Sequence, residues 1–454
     1  MVKRSIIFLS ITLFILIGCS QPSDSGPSTP PPTYSVTYES TDADGGDVPV
    51  DSTGYEEDDL VTILSNTGSL ARNGYNLCGW SLTEGADAAD YEAGDTFNIG
   101  TVDVVLYAVW EVGAQEDFSG VSAVGDQGTV FIGEQTLVLC NAMGSGSITF
   151  PMVDDETGTG TIITPFYMGE TEVTNAQVMT VYQWAYDNGR FSDTVSDSNG
   201  VDATTAKHSD TELLHMDDTS GDVDGPCHIE FSGGTFSVET GYEDHPVVMI
   251  TGCGMVMFCN WLTEIRDGTT DNLVYTGIPS TWWNFGNENE DVSKSGYRMM
   301  ASEEWEYAAR YIGTSAPAVG DLAAEYVAQS VNGGDPSLTS GYYWTPGDYA
   351  SGATADVDNA SACQAVAVYL GNGSPTEEAS VKSLGAGSAN ALNIYDMCGN
   401  VAELCYTEHP VSFRRIRRGG SWNYLDVDLG VGLVFDHNPY YGHPELGFRI
   451  VRSY

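Results

Sequence analysis

The chain has one long apolar run, Ile6–Ile17, which sits behind Lys3 and Arg4 and stops at Gly18-Cys19. A basic head, a short apolar stretch and a small residue before the cysteine make up a secretory signal peptide. The run is short for a membrane-spanning helix, which needs ~20 apolar residues, and no later segment approaches that length. Residues 1–18 are therefore expected to be removed, and the rest must fold as an exported chain with cores of its own. It has the means: 41% of residues are hydrophobic and 11% aromatic, which excludes wholesale disorder, and 454 residues suit two or three domains. Charge narrows the partners, because 16 Lys+Arg stand against 64 Asp+Glu, a formal net charge of −48. A nucleic-acid binder needs a basic face to displace counterions and is excluded. A polybasic membrane patch is not expected either.

Leu16-Ile17-Gly18-Cys19 resembles the bacterial lipobox. The resemblance implies that Cys19 is lipidated and that the chain is held at the cell envelope by a lipid anchor alone. Ser20 follows the cysteine instead of the Asp that retains such proteins at the inner membrane, so the outer membrane surface is expected. Residues 19–33 are rich in Pro, Ser and Thr and read as an extended linker. Beyond Cys19 lie Cys78, Cys140, Cys227, Cys253, Cys259, Cys363, Cys398 and Cys405, an even number that suits disulfides in an oxidising compartment, with connectivity left open. No Cys-x-x-Cys pair supports a zinc ribbon or a thioredoxin-like site.

Residues 34–112 read as a small β domain. Tyr34–Tyr38 and Leu60–Leu64 alternate, and Val102–Trp110 is strongly β-prone. Gly74-Tyr75-Asn76-Leu77-Cys78-Gly79-Trp80 and Leu106–Trp110 resemble the Listeria–Bacteroides repeat of internalin B-type surface proteins. One copy of a β-grasp-like spacer or adhesive unit is implied, with Trp80 and Trp110 in its core.

A large domain is expected over 117–454. Phe166–Gln177 reads as a strand entering a helix capped by Thr174, Met255–Leu262 as a helix with apolar i, i+3, i+4 spacing, and Ser302 as the cap of a third helix. With Gly296-Tyr297-Arg298, Ala391–Cys405, Arg417–Trp422 and Gly447–Val451, these motifs resemble the sulfatase-modifying-factor, or formylglycine-generating-enzyme-like, domain. The resemblance implies an α+β, C-type-lectin-type fold in which Trp305, Tyr307, Trp422 and Phe448 are core. The family's copper enzymes need a cysteine pair after the Arg-Gly-Gly-Ser stretch, and residues 419–454 contain no cysteine. The seven histidines show no spacing of a facial iron triad. A binding protein without catalysis is therefore expected, with a sulfatase-modifying oxidoreductase or a fixed-ligand adhesin as alternatives.

Residues 423–446 resemble the variable region of retroelement-diversified proteins, whose mutagenised Asn codons cannot yield Lys, Gln, Glu, Met or Trp. None of these five occurs from Asn423 to Pro444, and Glu445 is the exception before the closing frame. The resemblance implies ligand contacts by Tyr424, Leu425, Asp426, Asp428, Gly432, Val434, Phe435, Asp436, His437, Tyr440, Tyr441, Gly442 and His443. Rigid aromatics beside adaptable polar residues suit recognition of an unknown protein or glycan at the cell exterior. Within 429–434 a strand would turn Leu429, Val431 and Leu433 inward and Gly430, Gly432 and Val434 outward.

The enzyme family also carries calcium. Transferred position by position, the ligands would be the Asp396 and Glu403 side chains and the Gly399 and Val401 carbonyls, an oxygen-only set. Ala402 and Leu404 depart from the tryptophans usual there. Ser220–Gly225 hints at an EF-hand loop whose acid, Glu230, comes one residue early, so 192–226 is read as a solvated insertion. The acid surplus is uneven, since residues 411–454 hold six Arg against four acids. The arginines are expected to brace the frame around the binding segment.

Overall fold

The computed structural model describes residues 30–153, 159–192, 201, 205–208, 211–216, 227–278, 288–314, 343–411 and 413–454. The leader, Cys19 and the Ser220–Gly225 stretch lie outside them. No helix among the described residues is long and apolar enough to cross a membrane.

In the first unit, strand Val104–Val112 is central, pairing parallel with Val36–Glu39 and antiparallel with Tyr75–Ser81. Alternation puts Val36, Tyr38 and Leu106 on the covered face, where they pack with Val61, Ile63, Leu70, Ile99 and Trp80. Trp80 is buried and meets Tyr38 edge-on at 4.7 Å, while Trp110 is half-buried against the same cluster.

The larger unit begins at strand Ala114–Asp117, three residues ahead of the expected 117. That strand edges a six-stranded sheet ordered Tyr297–Met299, Ile450–Ser453, Phe166–Gly169, Gln135–Met143, Gln127–Ile132, Ala114–Asp117. Ile450–Ser453 thus lies one strand in from the edge, paired on both sides, which ties the C-terminal segment to the core.

Helix α1 (Asn175–Asp187) starts as expected, with Thr174 and Gln177 forming a reciprocal cap. Helix α2 (Gly252–Asp267) starts earlier than Met255, at the cap Thr251, and is buried over most of its circumference. Its Trp261 packs with Tyr182 and Phe191. Helix α3 (Ser302–Arg310) corrects the expected cap. Ala301 holds that position and its amide donates to Glu304, whereas the Ser302 hydroxyl accepts from Arg418 at 2.9 Å.

Two further expectations fail. All eight cysteines after Cys19 are free, and six of them are buried as small apolar residues. Burial raises the thiols of Cys140 and Cys398 to about 12. Within 192–226, the described strands Thr205–His208 and Thr211–His215 pair as a hairpin that sends Ala206, Leu213 and Leu214 into the core, so this part is not a solvated loop.

Candidate functional site

A four-stranded sheet carries the segment 423–446. Its order is Phe435–His437, Arg415–Arg418, Ala402–Glu408, Leu446-Gly447. Glu403 lies opposite Arg418, Leu404 opposite Arg417, and Arg417 opposite Phe435. Strand alternation therefore sends Arg418 and Arg417 to opposite faces.

The inner face is a buried ionic frame. Arg418 donates to Glu306 at 3.2 Å, and Arg310 donates to the same carboxylate at 2.8 Å. Glu403 accepts from Arg449 at 2.5 Å and from Trp305 Nε1 at 3.0 Å. Arg449 also donates to the carbonyls of Gly169 and Tyr395, which locks the six-stranded sheet to the Asp396 loop. Such pairs hold geometry because each charge, once buried, needs its partner.

The segment leaves this frame at Trp422 and rejoins it at Leu446. Its base is clamped: Asn423 Nδ2 and the Ser421 hydroxyl both donate to Glu445, at 2.7 and 3.1 Å, and Trp422 Nε1 donates to the Pro444 carbonyl. Glu445, the one residue breaking the codon pattern, thus belongs to the frame.

The expected strand over 429–434 does not form. A 3-10 turn covers Asp426–Leu429, and the next four residues enter the core as a plug, with the Val431 and Gly432 amides donating to the Tyr349 and Gly347 carbonyls. Leu429 and Val431 are buried, but so are Gly430 and Gly432. A Cβ on Gly432 would sit 2.6 Å from the Val153 carbonyl oxygen, and one on Gly442 2.2 Å from that of Met249. These two candidate contacts are therefore packing positions, chosen because only a hydrogen fits.

The other candidates are all partly or largely exposed. Leu425 and Val427 are 57% and 52% exposed, and Tyr424, Asp426 and Asp428 are half-buried beside them. Val434, Phe435, Asp436, His437, Tyr440, Tyr441 and His443 are also half-buried. Tyr424 and Phe435 meet edge-on at 5.8 Å. Asp436 is paired with Arg414 at 2.6 Å. Burial lowers His437 to about 4, the nearby charges of Arg417, His443 and Arg414 adding and its bond to the Tyr441 carbonyl opposing. Burial also lowers His443 and raises the Tyr424 phenol, against the pull of Arg417. At neutral pH both imidazoles are therefore neutral, and Tyr424 and Phe435 hold their rings beside Arg417.

Of the expected calcium ligands, Glu403 is held within the ionic frame. Both Glu403 oxygens face Arg449, whose guanidinium supplies the cation there. Asp396 Oδ2 accepts from the Lys382 amide, and its Oδ1 is buried without a partner. Sequence reasoning missed Glu172, which is fully buried with neither carboxylate oxygen hydrogen-bonded. Burial pushes its carboxyl well above the usual range, Asp396 and Glu403 adding and Arg449 opposing. Among the described residues no three His, Cys, Asp or Glu side chains converge as a metal centre.

Comparison with known proteins gives the same frame a family. A protein of Paenibacillus barcinonensis named chaperone protein LppX is 28% identical over 236 residues, 46% of this chain and 71% of that protein. A Gly-rich membrane protein of Evansella cellulosilytica is 35% identical over 79 residues, 17% of this chain and 9% of its own length. Among solved structures, Treponema denticola variable protein 1 aligns over 72% of this chain and 98% of its own, at 17% identity and a TM-score of 0.41. The model of the sulfatase-modifying factor enzyme 1-like domain matches residues 136–454, which take in both sheets' central strands and all three helices described above. With its α+β, C-type-lectin-type architecture, the chain belongs to the sulfatase-modifying factor enzyme 1-like family.

Proposed function

We propose that this is a lipid-anchored protein of the outer cell surface whose C-terminal domain binds a variable protein or glycan ligand through residues 423–446, a retroelement-diversified segment, without catalysis. The observation that carries the reading is the division within that segment. Its ends are clamped by Ser421, Asn423 and Glu445, while most side chains of Tyr424–Asp428 and of the 434–443 stretch are half-buried or exposed. A frame of this kind tolerates exchange of the presented residues. The one Glu in the segment serves the clamp, so its escape from the codon pattern has a structural reason. Envelope placement is supported by the Leu-Ile-Gly-Cys context and by relatives named LppX and membrane protein. Lipidation at Cys19 and the spacer role of residues 34–112 are parts of the same reading.

The test is genomic. A near-identical, Asn-rich copy of the codons for 423–446 should lie beside a reverse-transcriptase gene. Its absence sinks diversification and leaves a fixed-ligand adhesin. Copper-dependent oxidation of a Cys-containing sulfatase peptide by the purified chain would overturn the non-catalytic reading.

A further inference from the structure

In a chain with four acids for every base, a cation without a partner is conspicuous. Eleven arginines fall among the described residues, and ten have a carboxylate within 4.0 Å: Arg72, Arg190, Arg266, Arg298, Arg310, Arg414, Arg415, Arg418, Arg449 and Arg452. The exception is Arg417, which has no ion pair among the described residues and whose Nε is buried without a hydrogen-bond partner. Alternation has turned it away from the frame that takes Arg418. Its guanidinium carbon lies 5.6 Å from the Tyr424 ring centre and 5.8 Å from that of Phe435. Two aromatic faces hold the cation in place without neutralising it.

The acids of the segment are committed elsewhere. Glu445 is held by Asn423 and Ser421, Asp436 by Arg414, and Asp428 accepts from the Leu425 amide at 3.2 Å. None of them closes on Arg417. Leu425, next to Tyr424 in the chain, and Val427, two residues on, expose their aliphatic side chains. A rigidly held arginine among aromatics, rimmed by exposed apolar groups, has the composition of a protein-binding hot spot. The aliphatic rim favours a peptide over a sugar acid, whose ring presents hydroxyls.

We infer that Arg417 anchors a carboxylate of an acidic peptide segment on a partner protein, received beside Tyr424 and Phe435 with aliphatic contacts from Leu425 and Val427. The inference rests on the reading of 423–446 as a binding segment. It names the chemistry this sequence variant would take, and guanidinium–carboxylate pairing supplies its geometry.

The probe is the tripeptide acetyl-Leu-Glu-Leu-amide, titrated into the full chain and followed by saturation-transfer NMR. Its Leu-Gln-Leu counterpart and methyl glucuronide are run in parallel. The Glu peptide should bind saturably, at least tenfold more tightly than the Gln peptide or the glucuronide. Arg417→Gln should lose that tenfold, and Arg417→Lys should recover only part of it. Leu425→Ser with Val427→Ser keeps the arginine and should weaken the Glu peptide at least threefold at an unchanged melting temperature, which guards against misfolding of the Arg417 variants. Failure of the Glu peptide to bind, or equal binding by the Gln peptide or by Arg417→Gln, overturns the anchor. Glucuronide binding as tightly as the Glu peptide overturns the peptide source. A missing template copy would sink diversification without touching these titrations, which read one fixed sequence.

Discussion

The frame under the segment and the segment itself are held by opposite means. In the frame, Glu306 and Glu403 are fully buried, and each is met by at least one buried arginine. In the segment, a few backbone bonds and a plug of small residues fix the path, while the presented side chains have few obligations. Adjacent residues show the contrast: Arg418 is buried against Glu306, and Arg417 is half-buried and unpaired. Ion pairs in a low-dielectric interior add little net stability over apolar packing but strongly penalise any rearrangement that separates them. The difference teaches how one domain can fix its frame by buried charge and still leave a neighbouring segment's side chains at the surface.

The comparison breaks most directly at Arg449. Arg449→Met leaves Glu403 buried with only the Trp305 indole as donor, and should cost about 3–5 kcal/mol in urea unfolding. A loss below about 1 kcal/mol would mean that the frame is held by packing instead, since removal of one partner from a buried pair is the costly event.

A smaller effect separates the two regions by pH. His437 is neutral in the folded chain down to about pH 4, whereas unfolded it takes a proton near 6.5. Its contribution is complete above about 6.5 and is lost as pH falls toward 4, by up to about 3 kcal/mol. Amide exchange at 435–441 should therefore quicken in acid before that at 402–408, and His437→Gln should flatten the difference. Simultaneous quickening of both stretches would show that the segment does not open independently of the frame.

Much of the frame was legible in the sequence because its signals are local or covalently spaced: the Thr174 cap, the Arg417–Trp422 turn, and the Gly-Phe-Arg close. What escaped depends on contacts distant in sequence. Ser302 looked like a helix cap, but its hydroxyl is taken by Arg418, more than a hundred residues later. Residues 429–434 read as a strand because alternation cannot reveal that the Tyr349 and Gly347 carbonyls await the Val431 and Gly432 amides. Glu403 of the calcium quartet matched by position, but no local signal shows that Arg449 takes both its oxygens. The even cysteine count suggested bridges, but the thiols are free and six of the eight pack separately in the interior. Arg417 carried no signal at all, since four arginines between 414 and 418 look alike until strand register assigns their faces.

The smallest effect is the most discriminating. Leu425 and Val427 are more than half exposed on a turn whose backbone is fixed by Asp428 and the Tyr424–Ser421 hydrogen bond. Replacing both with Ser removes little buried area, so unfolding free energy should stay within about 0.5 kcal/mol of the parent. The urea m-value should not move, because the surface exposed on unfolding is nearly unchanged. If instead the pair costs above about 2 kcal/mol, these side chains pack in solution and the presented face is part of the core. The distinction between persistent frame and exchangeable segment would then collapse at its most exposed point.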